Sequence, residues 1–337
     1  MSQYPLHLYS TLPTISAPFS ILGSSAILYI ISRSKDKLST TLNRLLVGLC
    51  VADLIFSFPF LFSKAIIKFE DRTRTDADGV IESYKYPGTT NWTACETQGF
   101  LISFGAGLSI LYNIYLCIYY VCVIKLNYSV TKIKKKVEPF LHATPYMFLL
   151  ISMIVTVATK SINPERGYCY ISEYRPKDCE SGDCYRGSFV WVLRIFTIVN
   201  MIVAFVAITG MMTVIYLQVS RQERRMRNAG YRSTNAARAA GNESNMIAGR
   251  QSQAQANNAS SGLLRQNVTN SRKVLNQGLA YAGAFLATWF FFIYFAITKL
   301  AGGDPKAVET LDLLSSFFNP LQGKSQTALI HLHCIGG

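Results

Sequence analysis

The chain has 337 residues, of which 50% are hydrophobic and only 15% are charged, and its formal net charge is +14. A soluble chain carries about a quarter charged residues, so this composition argues against an ordinary soluble enzyme. A large positive charge also suggests nucleic acid as a partner, but that requires basic residues gathered on one soluble surface. Here they lie between long apolar runs. We therefore expect a protein of the lipid bilayer with no nucleic-acid partner.

Seven apolar stretches are candidates to cross a bilayer, whose core needs about 20 helical residues. They run approximately over residues 14–32, 42–62, 99–124, 140–159, 189–217, 279–300 and 308–322. The seventh is the weakest, because it is short and holds two acids. The prediction is an all-α, seven-transmembrane helix bundle in which the seventh helix is either complete or truncated.

The charges of the connecting segments predict the orientation. With the N-terminus outside, the inner segments hold 20 of the 33 basic residues against four acids. Basic residues concentrate on the cytoplasmic side of membrane proteins, and the reverse orientation would place this excess outside. Residues 1–13 are then an extracellular leader. They are not expected to be part of a signal peptide, because no Lys or Arg precedes Arg33.

The remaining divisions follow from changes in composition. Residues 14–219 hold helices one to five, and residues 278–323 hold helices six and seven. Between them, residues 220–277 are rich in Asn, Ala, Ser, Gln and Arg, which predicts a basic, partly disordered cytoplasmic loop. Residues 324–337 are an atypical C-terminal tail.

Ionisable residues inside membrane spans are costly, so each is a candidate functional residue. Asp53 lies midway along the second span among apolar neighbours, and we expect it to face the bundle interior, toward a cation, water or polar partners. Asn319 and Pro320 form a polar, helix-breaking pair in the seventh span. Arg194 and Asp312 lie near the outer ends of spans five and seven. Both are candidate ligand contacts, and interfacial anchoring is the alternative for Arg194.

Four of the eight cysteines, at positions 95, 169, 179 and 184, fall in predicted outer segments, where disulfides form. Four cysteines allow three pairings, which the spacing leaves open. One sequon, Asn91-Trp92-Thr93, lies outside and predicts N-glycosylation. The sequons at Asn127, Asn242, Asn258 and Asn267 lie inside and are expected to be chance matches.

Six motifs follow one another through the spans. They are Leu49-Cys-Val-Ala-Asp53; Tyr112-Asn113 with Tyr119-Tyr120 and Lys125; Glu138-Pro-Phe-Leu-His142; Asn163-Pro with Gly167-Tyr-Cys-Tyr-Ile171; Ala282-Gly-Ala-Phe285 with Thr288-Trp289; and Asn319-Pro-Leu-Gln-Gly323. In order and spacing the chain resembles seven-transmembrane G-protein-coupled receptors. Within them it is similar to the cyclic-AMP-receptor-like and fungal nutrient-receptor-like group of protists and algae.

The resemblance implies a cell-surface receptor of the plasma membrane that binds an extracellular ligand and signals to a heterotrimeric G protein. It implies a disulfide between Cys95 and Cys169, after which Cys179 and Cys184 can pair with each other. It also implies two functional groups of residues. The intramembrane switch comprises Asp53, Asn113, Trp289, Asn319 and Pro320, and the G-protein-facing group comprises Tyr120, Lys125, Arg221, Arg224, Arg225 and Lys273.

The chain departs from the family's pattern at two places. Tyr119-Tyr120-Val121 stands where rhodopsin-like receptors have an acidic-Arg-Tyr motif, so Lys125 is the alternative basic residue of the inner switch. The residues after Gly323 do not continue the seventh span as the family does.

Three other functions remain as alternatives. A transporter or channel has only Asp53, Asp312 and Arg194 in its favour, without an internal repeat. A retinal protein needs a buried lysine, and none lies between Val308 and Gly323. An enzyme is least favoured, because the four histidines form no catalytic or metal-binding group with the cysteines or acids. We expect no catalytic residue, no metal and no cofactor.

Overall fold

The structure is a computed structural model. It describes residues 7–34, 37–75, 81–126, 128–165, 167–174, 186–240, 282–283, 285–295, 297–298 and 304–318. Within them it has seven long helices, which we number α1 (His7–Arg33), α2 (Thr41–Ser57), α3 (Trp92–Ile124), α4 (Glu138–Ala158), α5 (Val190–Ala240), α6 (Phe285–Phe295) and α7 (Pro305–Phe318). In the described ranges, five helical segments are long and apolar enough to cross a membrane. The predicted all-α, seven-helix fold is confirmed.

Two antiparallel hairpins interrupt the helical pattern on one side of the bundle. β1 (Lys68–Thr75) pairs with β2 (Ile81–Gly88), and β3 (Ile162–Glu165) pairs with β4 (Tyr168–Ile171). In the second hairpin, Pro164 lies opposite Cys169. We call this side, which holds Cys95 and Cys169, the disulfide side. The opposite side, which holds Arg33, Lys125 and the lysines of residues 132–136, is called the basic side.

Local side-chain chemistry determines where the helices begin and end. The Thr40 side chain accepts a hydrogen bond from the Asn43 amide at 3.2 Å and caps α2, and the Asn91 side chain caps α3 by accepting from the Ala94 amide at 3.0 Å. α3 therefore begins at Trp92, before the predicted residue 99. Pro59 cannot donate a backbone hydrogen bond, and α2 gives way there to a 3-10 turn over Phe58–Phe62.

α3 is the central helix and packs against α2, α4 and α5, while α1 packs against α2 and α7. The outward face of α4 is apolar and exposed. Phe140, Met147, Ile151 and Ile154 are each more than 60% exposed and recur at a helical spacing. Large apolar side chains exposed in this pattern belong in lipid, so this stripe marks the membrane-facing side of α4.

Several predictions fall on residues outside the described ranges: Cys179, Cys184, Lys273, Asn319 and Pro320, together with the end of the seventh span and the tail. α5 continues to Ala240, so the first part of the predicted third inner loop, residues 220–240, is helical. The rest of the predicted third inner loop, residues 241–277, also lies outside the described residues.

Candidate functional site

Asp53 lies at the centre of the bundle, between α2 and α3. It is 1% exposed, and its Oδ1 accepts a hydrogen bond from Ser109 Oγ at 2.6 Å. Asn113 is also buried and donates from Nδ2 to the Ser109 carbonyl at 2.8 Å, within α3. Among the described residues Asp53 Oδ2 has no hydrogen-bond partner. Asp53 therefore faces the interior as expected, with one carboxylate oxygen satisfied by Ser109.

Two glycines bring α2 and α3 close together on either side of Asp53. A Cβ added at Gly105 would lie 2.5 Å from the Phe56 backbone nitrogen, and one added at Gly48 would lie 2.5 Å from the Tyr112 ring. Small residues allow such close approach between helices in membranes. The short distance between Ser109 and Asp53 follows from this packing.

Trp289 of α6 is buried beside the same part of α2. Its ring centroid lies 6.3 Å from that of Phe56, which is three residues from Asp53. Within α6, Trp289 also contacts Phe285 at 6.2 Å and Phe292 at 5.7 Å. The Phe56 ring thus lies between Trp289 and the turn of α2 that carries Asp53. The other proposed members of the switch, Asn319 and Pro320, are not in the described part.

The β3–β4 hairpin is tied to α3 at two neighbouring positions. Cys95 and Cys169 form a disulfide with a Cα–Cα distance of 5.4 Å, and this predicted pairing is confirmed. One turn along α3, Gln98 Oε1 accepts from the Cys169 amide at 3.0 Å. Its Nε2 donates to the Pro59 carbonyl and to Ser63 Oγ, both at 3.0 Å. Gln98 thus joins the hairpin, α3 and the end of α2.

The sequence pattern does not single out Gln98. Its one signal is a polar residue three positions after Cys95, on the face of a largely apolar helix that also carries the cysteine. Because polar residues are also common at the ends of membrane spans, this signal does not identify a buried hydrogen-bond centre.

A line of aromatic rings connects the hairpin with the bundle centre. Tyr168 of β4 lies 5.3 Å from Phe60, Phe60 lies 5.5 Å from Phe56, and Phe56 reaches Trp289 at 6.3 Å, all between ring centroids. We call Tyr168, Phe60, Phe56 and Trp289 the aromatic chain. Each distance falls within the range of favourable ring contacts. The sequence did not predict it, because a phenylalanine facing lipid and one facing the core look alike in an apolar span.

Tyr170 stands beside the aromatic chain on the same strand, at 6.2 Å from Tyr168. Burial raises the pKa of its phenol to about 12. The nearby Glu165 carboxylate adds to this rise, and Arg194 opposes it. Tyr170 therefore stays neutral at physiological pH and contributes an aromatic ring with a neutral hydroxyl on the disulfide side.

Two arginines on the disulfide side are paired with carboxylates. Arg194 of α5 donates to Glu165 Oε1 at 3.3 Å and to the Ile171 carbonyl at 3.4 Å, and so fastens α5 to the hairpin. Arg186 pairs with Glu96 of α3 and donates to Asn163 Oδ1 at 3.1 Å. These pairs are partly exposed, which limits what each contributes to stability.

Arg186 also lies 4.4 Å over the Trp92 ring centroid, at the start of α3. The sequence pattern does not single out Arg186, because the residue lies in a loop among other charged residues. Its contacts join the segment that enters α5 to the start of α3 and to β3, on the disulfide side.

On the basic side, the proposed G-protein-facing residues divide into two groups. Lys125, Arg221, Arg224 and Arg225 are exposed. Tyr120 is only 1% exposed and belongs to the bundle core. The structure does not bear out the expectation that Tyr120 faces a partner, because Tyr120 lies on the inward face of α3 and its ring packs in the core of the bundle. Asp312 of α7, the other candidate ligand contact, is half-buried.

A second polar cluster joins α2 and α4 on the basic side. Glu138 accepts two hydrogen bonds from Arg44, one of them from Nη2 at 2.7 Å, and a third from Thr41 Oγ1, also at 2.7 Å. One turn further along α4, His142 Nδ1 lies 3.1 Å from Tyr112 OH. Both carboxylate oxygens of Glu138 thus accept hydrogen bonds from residues of α2, although Glu138 follows a run of lysines in the sequence.

No protein-family model matches the sequence, and no curated protein matches it. Solved structures match its fold. The crystal structure of squid rhodopsin is similar to this chain with a TM-score of 0.59 and 13% sequence identity, covering 96% of this chain and 83% of that chain. At that identity the likeness shows the fold alone. The chain has a rhodopsin-like seven-transmembrane fold.

Proposed function

We propose that this protein is a G-protein-coupled receptor whose ligand binds between the helix halves of the disulfide side. The observation that carries the proposal is the aromatic chain, which runs from the disulfide-tied hairpin to Trp289 beside Asp53. A ligand seated under the hairpin contacts one end of this chain, while the buried polar site lies at the other. The rhodopsin-like fold supports the same proposal but does not by itself define an activity.

In this proposal the ligand acts by binding one of two bundle conformations more tightly than the other. Arg194 and Asp312 are the candidate ligand contacts. A ligand group that engages Arg194 competes with Glu165 and loosens the link between α5 and the hairpin. The change then reaches the switch residues Asp53, Asn113 and Trp289 through the aromatic chain, and Asn319 and Pro320 complete the switch.

The output surface in this proposal is the basic side, where a heterotrimeric G protein docks. Lys125 and the exposed arginines of the α5 extension, Arg221, Arg224 and Arg225, supply its charge, together with Lys273. Basic side chains that project beyond the bilayer favour an acidic partner surface and raise the association rate.

Orientation and location are part of the proposal. The N-terminus lies outside the plasma membrane, the basic side lies in the cytoplasm, and Asn91 carries a glycan. Asn91 is exposed and uses its Oδ1 to cap α3, which leaves Nδ2 available for glycosylation. The finer placement in the cyclic-AMP-receptor-like and fungal nutrient-receptor-like group is supported by the sequence motifs.

The test is ligand-stimulated nucleotide exchange on a co-expressed heterotrimeric G protein, across a broad extracellular ligand library. An active ligand is expected to lose potency with Arg194→Gln and to lose response amplitude with Asp53→Asn. Flux of ions or solutes through the chain in liposomes, without exchange or G-protein association under any ligand, would establish the transporter or channel alternative instead.

A further inference from the structure

The segment that leads into α4 is unusually basic for the start of a helix. Ser129 caps it by accepting from the Lys132 amide at 3.3 Å, and a continuous helix then runs over Val130–Ala158. Its first two turns carry four exposed lysines, at positions 132, 134, 135 and 136. Cations at a helix N-terminus oppose the helix dipole, so this end of the helix is stabilised when an anion binds there.

Within the described residues, no carboxylate neutralises these lysines. The nearest acid along the helix is Glu138, which is 8% exposed and bonded to Arg44 and Thr41 of α2. No ion pair involves any of the four lysines in the part of the chain that the structure describes. Their charge is therefore available to a partner outside the chain.

The helix face that carries Lys132 and Lys136 indicates the chemistry of that partner. Lys136 precedes Phe140 by four residues, and Lys132 precedes Lys136 by four, a spacing close to one helical turn that keeps side chains on one face. Phe140 begins the exposed apolar stripe of α4 that continues through Met147 and Ile151. Lys132 and Lys136 thus extend the lipid-facing stripe to the level of the headgroups, away from the bundle centre.

Three local features fit a site at the bilayer surface. Val130 and Leu126 are 66% and 48% exposed, which places apolar side chains beside the lysines. Lys132 Nζ lies 3.8 Å from the Tyr128 ring centroid, so its side chain is held in position. The turn Ile133–Val137 is a π-helix, a form that often occurs at functional sites in helices.

We propose that Lys132 and Lys136 bind the headgroup of an anionic phospholipid bearing phosphate monoesters, with its acyl chains against Phe140 and Met147. A phosphate monoester carries nearly two negative charges at neutral pH, which matches two ammonium groups on one face. The proposal rests on the chain spanning a bilayer and is independent of its proposed activity as a receptor.

Native mass spectrometry of the purified full chain tests the site, with phosphatidylinositol 4,5-bisphosphate titrated as the probe. The K132Q/K136Q variant is expected to raise the Kd about 30-fold, because each lysine near a membrane surface contributes a factor of about five. The matched control is K134Q/K135Q, which removes the same charge from the same turn but off the lipid-facing stripe. It is expected to change the Kd less than about threefold, because lysines off the stripe contribute only general attraction to the headgroup and no direct contact. K132R/K136R keeps the charge and should bind like the unmodified chain.

Three results would overturn the proposal: equal losses in the two glutamine variants, no loss in K132Q/K136Q, or equally tight binding of phosphatidylserine at the same total lipid charge. The first and third show nonspecific attraction to the basic side, and the second shows that these lysines serve another partner. Because the assay contains neither ligand nor G protein, its outcome is separate from that of the exchange assay.

Discussion

Replacing Ser109 with alanine tests whether the buried carboxyl group of Asp53 depends on one hydrogen bond. Ser109 Oγ donates to Asp53 Oδ1 at 2.6 Å, and Asp53 Oδ2 has no hydrogen-bond partner among the described residues. The substitution therefore removes the hydrogen bond that the structure shows at this carboxyl group. Leaving a buried acceptor unsatisfied costs about 1–3 kcal/mol, so we expect Ser109→Ala to reduce the free energy of unfolding by about 2 kcal/mol.

Thermal unfolding of the detergent-purified chain measures the effect. Cys50, Cys117 and Cys122 are buried free thiols, so a thiol-reactive fluorophore reports their exposure as the bundle opens. A loss of about 2 kcal/mol corresponds to a fall in Tm of roughly 6 °C for a large domain. Asp53→Asn combined with Ser109→Ala should cost less than the sum of the single changes, because the two residues share one interaction.

Ser103→Ala is the matched control, since it makes the same change on the same helix. Ser103 Oγ is buried and has no hydrogen-bond partner within the described residues. Removing it leaves no group unsatisfied, and Tm should stay the same or rise slightly. The reasoning is refuted if Ser103→Ala lowers Tm as much as Ser109→Ala does, or if Ser109→Ala leaves Tm unchanged.

Three further predictions concern the disulfide side. Cys95→Ser and Cys169→Ser should each reduce the free energy of unfolding by about 2–5 kcal/mol, because each removes the same disulfide. The double variant should lose no more than either single variant, whereas additive losses would mean that the two cysteines act separately. Gln98→Leu should lower Tm in the same assay, because it removes three buried hydrogen bonds. Thr97→Ala, on the exposed face of α3, should leave Tm unchanged, and a larger fall in Tm for Thr97→Ala than for Gln98→Leu would contradict this role of Gln98. Asn91→Gln and Thr93→Ala should both abolish the same glycosidase-sensitive shift in electrophoretic mobility, and Asn258→Gln should leave it intact; a shift that depends on Asn258 would reverse the proposed orientation.

The lengths of the apolar runs predicted the architecture without reference to tertiary contacts. A membrane span must satisfy its backbone hydrogen bonds within the helix, so a long apolar run nearly determines its own secondary structure. An ionisable side chain that faces lipid is costly, so Asp53 had to face inward, and the structure places it there. The pairing of Cys95 with Cys169 came from the family resemblance, because spacing alone left three alternatives.

Helix boundaries were less predictable, for a physical reason. The length of an apolar run reflects the thickness of the bilayer, whereas a helix begins and ends where its terminal backbone N–H and C=O groups are capped. α3 begins at Trp92 because the Asn91 side chain caps it, outside the apolar run, and α5 continues to Ala240 as a polar helix beyond the membrane.

By itself, then, the sequence determined that the chain forms a seven-helix membrane bundle and that Asp53 is buried within it. Tertiary structure alone decided which apolar and polar side chains meet: the aromatic chain, the bonds of Gln98 to the hairpin, and the pairing of Arg44 with Glu138. In a bilayer both the inside and the outside of the bundle are apolar, so hydrophobicity does not tell the two faces of a helix apart. The rotation of each helix about its axis, and with it every contact between helices, is fixed only by packing.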